Sequence, residues 1–253
     1  MPDKLEEAVL LFKEGDLGGA LRLAEEVLKD RFRIEENEAA RLALRNQGKT
    51  EDALAAIDVA IQEAGGGVLL GRLLHDRGTT LQGAKRFQES LEFLGAAFLL
   101  RQGSGDFLGA SYSRFQMAMC RFVAGGSEAA LAQEFKSAAA MLEDLLERLK
   151  DSLEVSHEGN LRQNLAFCIQ QDGRHGEALE LYREVLLFRQ QAGDNRGYAM
   201  TQSRMAECLL NLGHLREANE VAHRALLYFE SIGDLNRIAQ VRYTIKKIAE
   251  TRT

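Results

Sequence analysis

A glycine followed five residues later by a small side chain recurs five times along this chain: Gly15/Ala20, Gly48/Ala53, Gly125/Ala130, Gly173/Ala178 and Gly213/Ala218. A sixth unit joins the set if Lys85 takes the turn, because Ser90 then falls in the same column. Self-similarity at this period belongs to stacked helical hairpins, in which each unit buries its apolar face against its neighbours. The columns continue on both sides of the turn. Seven residues before it stand Ala8, Gly78, Ala118, Ala166 and Ala206, with Arg41 as the exception. Four before it stand Leu11, Leu44, Leu81, Ile169 and Leu209, with Arg121 as the exception, and twelve after it Val27, Ala60, Ala97, Ser137, Val185 and Ala225. Small residues let two helix axes approach, and larger apolar residues at helical spacing fill the seam between them. The pattern predicts an all-α fold with two antiparallel helices per unit.

Composition supports this. The only proline in 253 residues is Pro2, and proline breaks helix interiors. Net charge is −6, with Lys and Arg dispersed, which speaks against nucleic acid as the main ligand because phosphate binding needs a basic stripe. There is no charged-then-apolar leader and no apolar run near the roughly 20 residues of a membrane span. The expectation is a soluble, cytoplasmic protein. Cys120, Cys168 and Cys208 each stand five residues before a turn glycine, in a column suited to small buried side chains, so they read as structural thiols.

The spacing sets the units: about 1–33, 34–67, 71–104, 111–158, 159–198 and 199–232, one domain closed by a helix at 234–251. From Gly125 to Gly173 is 48 residues, which calls for one long helix over Ser127 to His157, broken near Asp151–Ser152. Gly105-Asp106…Gly109…Met117-Ala118…Cys120 recurs 88 residues later as Gly193-Asp194…Gly197…Met205-Ala206…Cys208, and Gly-Asp returns at Gly233-Asp234. Glycine supplies the helix exit and aspartate caps the next helix. In the last helix Lys246 occupies a small-residue column, which fits a solvated end cap.

These columns resemble the tetratricopeptide repeat (TPR) family, and the 40-residue pitch with Gly-Asp linkers resembles its longer subgroup, which includes kinesin light chain, polarity adaptors and bacterial peptide-sensing regulators. The resemblance implies a right-handed superhelical solenoid of about six hairpins whose first helices line a concave groove. The groove columns of the fifth unit hold Asn160, Gln163, Asn164, Phe167 and Gln170; amides both donate and accept, and so can read a peptide backbone. Asn164-Leu165-Ala166 also resembles the step at which the longer-pitch family grips ligand backbone. In the fourth unit the same columns hold Tyr112, Phe115, Met119 and Phe122, an apolar stripe that is either groove wall or core. His75, Asp76, Thr79 and Gln82 continue the columns in the third unit. The chaperone-tail clamp of one TPR subclass is missing, since its places hold Leu5, Val9, Glu38 and Leu42, or Gln163, Phe167, Ser203 and Glu207.

Catalytic and metal motifs are absent: no His-Glu-x-x-His, no Cys-x-x-Cys, and Gly65-Gly66-Gly67 lacks the Lys-Ser/Thr of a phosphate loop. The function expected is an adaptor that binds a peptide or helical segment of another protein, without enzyme activity, metal or cofactor. A sensor of a short signalling peptide and a self-associating scaffold (a homo-oligomer) are the alternatives.

Overall fold

The computed structural model describes residues 49–64, 66–149, 153 and 155–251, and among them are ten α-helices and no strand. They are α1 Thr50–Glu63, α2 Gly67–Gly83, α3 Phe87–Gly103, α4 Phe107–Val123, α5 Glu128–Leu149, α6 Val155–Gln171, α7 His175–Gln191, α8 Asn195–Asn211, α9 Leu215–Ser231 and α10 Leu235–Thr251. The fold is an all-α stack of helical hairpins. The unit expected at 1–33 and the turns at Gly15 and Gly48 lie outside the described residues.

The turns repeat one geometry. At Gly173 the chain enters the left-handed region, φ +77°; the Gly173 N–H then donates to Gln170 O at 3.1 Å and the Arg174 N–H to Ile169 O at 3.2 Å. That pair of bonds satisfies the last carbonyls of α6, and glycine takes the conformation without the Cβ clash of other residues. Gly105, Gly125, Gly193, Gly213 and Gly233 close their helices with the same two bonds. Lys85 does so too, at φ +62°, so the residue assigned to the sixth turn by its column adopts the turn at a strain of about 1 kcal/mol. Across the linkers, Asp106 accepts from the Gly109 N–H at 2.8 Å, Asp194 from Gly197 at 2.7 Å and Asp234 from Arg237 at 3.2 Å, as the Gly-Asp reading requires.

The chain divides into two compact units, residues 1–93 and 94–253. In the first, α1 packs on α2, Arg77 pairs with Asp58 and lies 4.5 Å from the Phe93 ring centroid, and the buried Ser90 donates to Gly78 O at 2.8 Å. In the second, α4/α5, α6/α7 and α8/α9 form successive hairpins. Ala118, Ala166, Ala178, Ala206 and Ala218 are wholly buried, as are Cys120 and Cys208, with Cys168 close to it. α10 packs on α8 and α9 through Val241 and Ile248 and leaves Lys246 exposed.

The fourth unit departs from its columns. Ala130 is exposed and Ser137 half-buried, while Phe135, Ala138, Leu142 and Leu145 face the core. The reason is one extra turn residue, Gly126. The bond that anchors the second helix runs from Ala178 N to Arg174 O and from Ala218 N to His214 O, but from Leu131 N to Ser127 O. Leucine, half-buried, therefore stands where the other hairpins carry alanine or serine. Of the long helix expected over 127–157 with a break near Asp151–Ser152, α5 covers Glu128–Leu149 and α6 begins at Val155, the break itself lying outside the described residues.

Candidate functional site

Phe167 of α6 organises the apolar part of the site. It is 4% exposed, and the rings of Phe115, Phe122 and Phe135 stand edge-on to it at 5.9, 6.2 and 5.7 Å. Edge-to-face packing of this kind adds to simple burial. The Arg204 guanidinium lies 4.5 Å from the Phe167 centroid, a cation over a ring face. Phe115, Met119 and Tyr112 are partly buried against the core, and Phe122 alone of the stripe is exposed, at 41%. Burial pushes the Tyr112 hydroxyl up to about 12, against the opposing pull of the Asn160 side chain and the Arg189 charge.

The amides fall into two groups. Asn160 and Gln163 are held from behind: Arg189 Nη2 donates to Asn160 Oδ1 at 2.6 Å and to Gln163 Oε1 at 2.8 Å, while its Nη1 pairs with Asp194 at 2.9 Å. Thr201 adds a bond to Gln163 at 3.3 Å. Gln170 is 6% exposed; it accepts from the buried Tyr182 hydroxyl at 2.9 Å and donates to Glu207 at 3.1 Å. Glu207 in turn accepts from Arg204 at 3.1 Å and from Gln240 at 3.4 Å, so a polar ladder runs across α6, α8 and α10. Arg237 continues it to Gln240 at 2.9 Å; burial, then the Arg204 charge, pull Arg237 below the ordinary guanidinium value. Asn164 differs. It is half-buried and, among the described residues, its side-chain amide has no hydrogen-bond partner. His75 lies on α2, half-buried, in the unit of residues 1–93.

Arg114 and Arg121 occupy seam positions on α4 and are compensated by one carboxylate: Glu134 of α5 pairs with Arg114 at 2.8 Å and with Arg121 at 3.0 Å. Neither this pairing nor the Arg189 anchor follows from helical spacing. A signal for the latter was present, since Arg101 and Arg189 are themselves 88 residues apart. Arg101 shares one of these contacts, standing 3.6 Å from its capping Asp106, and otherwise donates to Gly109 O at 2.8 Å. At both Gly109 and Gly197 a Cβ would meet the capping carboxylate and the arginine side chain beside it, so a larger residue there displaces the cap.

Chemically this arrangement can bind. Burial pushes the Cys168 and Cys208 thiols up to about 12, which keeps them protonated and poor nucleophiles near neutrality. Among the described residues no group of three His, Cys, Asp or Glu side chains could hold a metal ion, and no helix is long and apolar enough to cross a membrane.

Residues 156–230 match the family model described as tetratricopeptide repeat. No curated protein matches the chain. Among solved structures, apo PlcR of Bacillus thuringiensis is similar over 92% of this chain and 86% of that one, with 14% identity and a TM-score of 0.68. PlcR in complex with the peptide PapR7 and DNA is similar over 89% and 79%, with 14% identity and a TM-score of 0.65. A thermophilic TPR protein of Thermus thermophilus is similar over 84% and 98%, with 16% identity and a TM-score of 0.63. At these identities the likeness is one of fold.

Proposed function

From the match of residues 156–230 to the tetratricopeptide repeat model we propose that the chain is a protein–protein interaction module that takes an extended peptide segment of a partner along α4, α6 and α8. The observation that carries this reading is the contrast among the amides of α6. Asn160, Gln163 and Gln170 are committed to Arg189, Tyr182 and Glu207, whereas the Asn164 amide is partly accessible and unpaired. An amide held on a rigid helix can donate to one backbone carbonyl and accept from one backbone N–H of a strand-like peptide. The half-buried Phe115 and Met119 of α4 supply apolar contact. The dispersed charge of the chain argues for a polypeptide ligand rather than nucleic acid.

The test uses peptides selected by display against the wild-type chain and then titrated into Asn164→Ala. Affinity reduced about tenfold or more, the scale of a lost bidentate amide contact, with helicity unchanged, supports the reading. Unchanged affinity for every selected peptide overturns it.

A second reading, that the ligand is a short signalling peptide, draws on the likeness to PlcR in its complex with the peptide PapR7. Truncating the selected peptides separates the two. Full affinity in a peptide of fewer than about ten residues favours the sensor; affinity that accumulates over a longer segment favours the adaptor.

A further inference from the structure

The extra glycine in the α4/α5 turn has an effect beyond register. Where Ala178 and Ala218 stand wholly buried in the seams of their hairpins, the larger, half-buried Leu131 stands at the start of α5. Between this turn and the α6/α7 turn lies a cavity of about 510 Å³. Its lining combines the apolar Phe122, Leu131 and Phe135 with the carboxylates of Glu128 and Asp172, which we take as its floor and its rim. Both carboxylates belong to exposed residues; neither lies within ion-pair distance of a cation among the described residues, and Asp172 also acts on the charge of the neighbouring Arg174. Phe122 is edge-on to Phe135, with centroids 5.9 Å apart, so a flat or branched apolar group entering the mouth meets two ring surfaces. Asn164 stands seven residues before Gln171 on α6, about 10 Å of helix, which makes this a separate place from the amide site.

We propose that this cavity is a docking pocket for a partner segment that inserts one aromatic or large aliphatic side chain and places a lysine or arginine on either side of it. The apolar floor selects the anchor, because burying such a side chain in a preformed hollow recovers most of its transfer free energy. The rim selects the charge. An acidic flank would be repelled by Glu128 and Asp172, whereas a basic flank finds a carboxylate on each side. The pocket does not depend on which peptide the α6 amides take, so the two readings stand or fall separately.

The probes are three capped peptides, acetyl-Lys-Phe-Lys-amide, acetyl-Glu-Phe-Glu-amide and acetyl-Lys-Ala-Lys-amide, titrated to millimolar concentration into the full chain and followed by amide NMR shifts. The Lys-Phe-Lys peptide is expected to shift the Gly126 and Gly173 resonances in a saturable way, with the other two peptides inert at those residues. Glu128→Gln with Asp172→Asn should weaken it about fivefold, the sum of two exposed ion pairs. Ala132→Trp, at an exposed position on the cavity lining, should abolish the shifts while circular dichroism and Tm stay at wild-type values. Absence of shifts at Gly126 and Gly173, an equal response to the acidic peptide, or a response that survives Ala132→Trp would each overturn the proposal. Loss of the Asn164-dependent ligand with these shifts intact would sink only the amide site.

Discussion

The α4/α5 and α6/α7 hairpins are built on the same template and pack differently. In α6/α7 the turn has three residues, Ala178 is wholly buried in the seam, and the buried polar groups across it bond to each other, Tyr182 to Gln170 and Arg189 to Asn160 and Gln163. In α4/α5 the turn has one residue more, leucine takes the alanine position, and two arginines share Glu134 across the seam. The comparison shows that a helical hairpin tolerates a longer turn and charged packing positions, but at the turn end it then leaves an opening instead of closing on a small side chain.

Substitutions on both hairpins put this contrast to the test. The largest effect is expected at the tight seam: Ala178→Leu should destabilise by about 2–3 kcal/mol through overpacking, read as a lower urea midpoint. Its mirror, Leu131→Ala, should cost about 1 kcal/mol or less, since the position is half-buried; equal costs would mean that the hairpins are equally closed. Glu134→Gln leaves two partly buried guanidinium groups without their counter-charge and should cost about 1–2 kcal/mol. Thiol labelling under native conditions is expected to reach Cys120 about tenfold sooner than Cys168, because a looser hairpin opens locally at lower free energy. Simultaneous labelling would show that both thiols report one cooperative opening. The Cys168 and Cys208 thiols, pushed up to about 12 from an ordinary 9.0, also set an alkaline limit. Raised values favour the protonated native form, so their stabilisation is whole below about pH 9 and is lost between there and about 12. A urea midpoint that stays level over that window would contradict it. Smallest of all, Gly173→Ala should cost about 1 kcal/mol and Lys85→Gly should gain about 0.5–1 kcal/mol, because the two turns share one left-handed conformation and differ in the residue asked to adopt it.

Much of the architecture was legible because its determinants are local. A left-handed turn residue, a small side chain at a helix crossing and an aspartate before a helix each constrain one position, so Gly173, Lys85, Ala178 and Asp194 were placed from their columns. What escaped is non-local. Counting from Gly125 gives Ala130 and Ser137 as seam residues, and only the anchoring bond to Ser127 shows that the second helix counts from Gly126. Pairing is also invisible in one strand of text. Nothing in the spacing of Asn160 and Gln163 says that Arg189 reaches them from the next helix, and nothing in the Arg121 exception names Glu134. For the same reason Phe167 reads as a groove residue in sequence and is the centre of an aromatic cluster in space.

Eight of the ten helices described are 17 residues long, and within each such run a linker of three residues makes the step 20. The chain is therefore written in a fixed metre, a hairpin with its trailing linker is a 40-residue cassette, and that of α8/α9 carries Gly-Asp punctuation at both ends. Such a cassette can be duplicated or excised at those joints while its neighbours meet familiar surfaces, so the segment from Asp194 to Gly233 offers itself as a unit of growth. Where the metre is broken, at Gly126, the molecule has instead acquired an individual feature, and individuality is what a repeat protein needs if one place along it is to be told from the next.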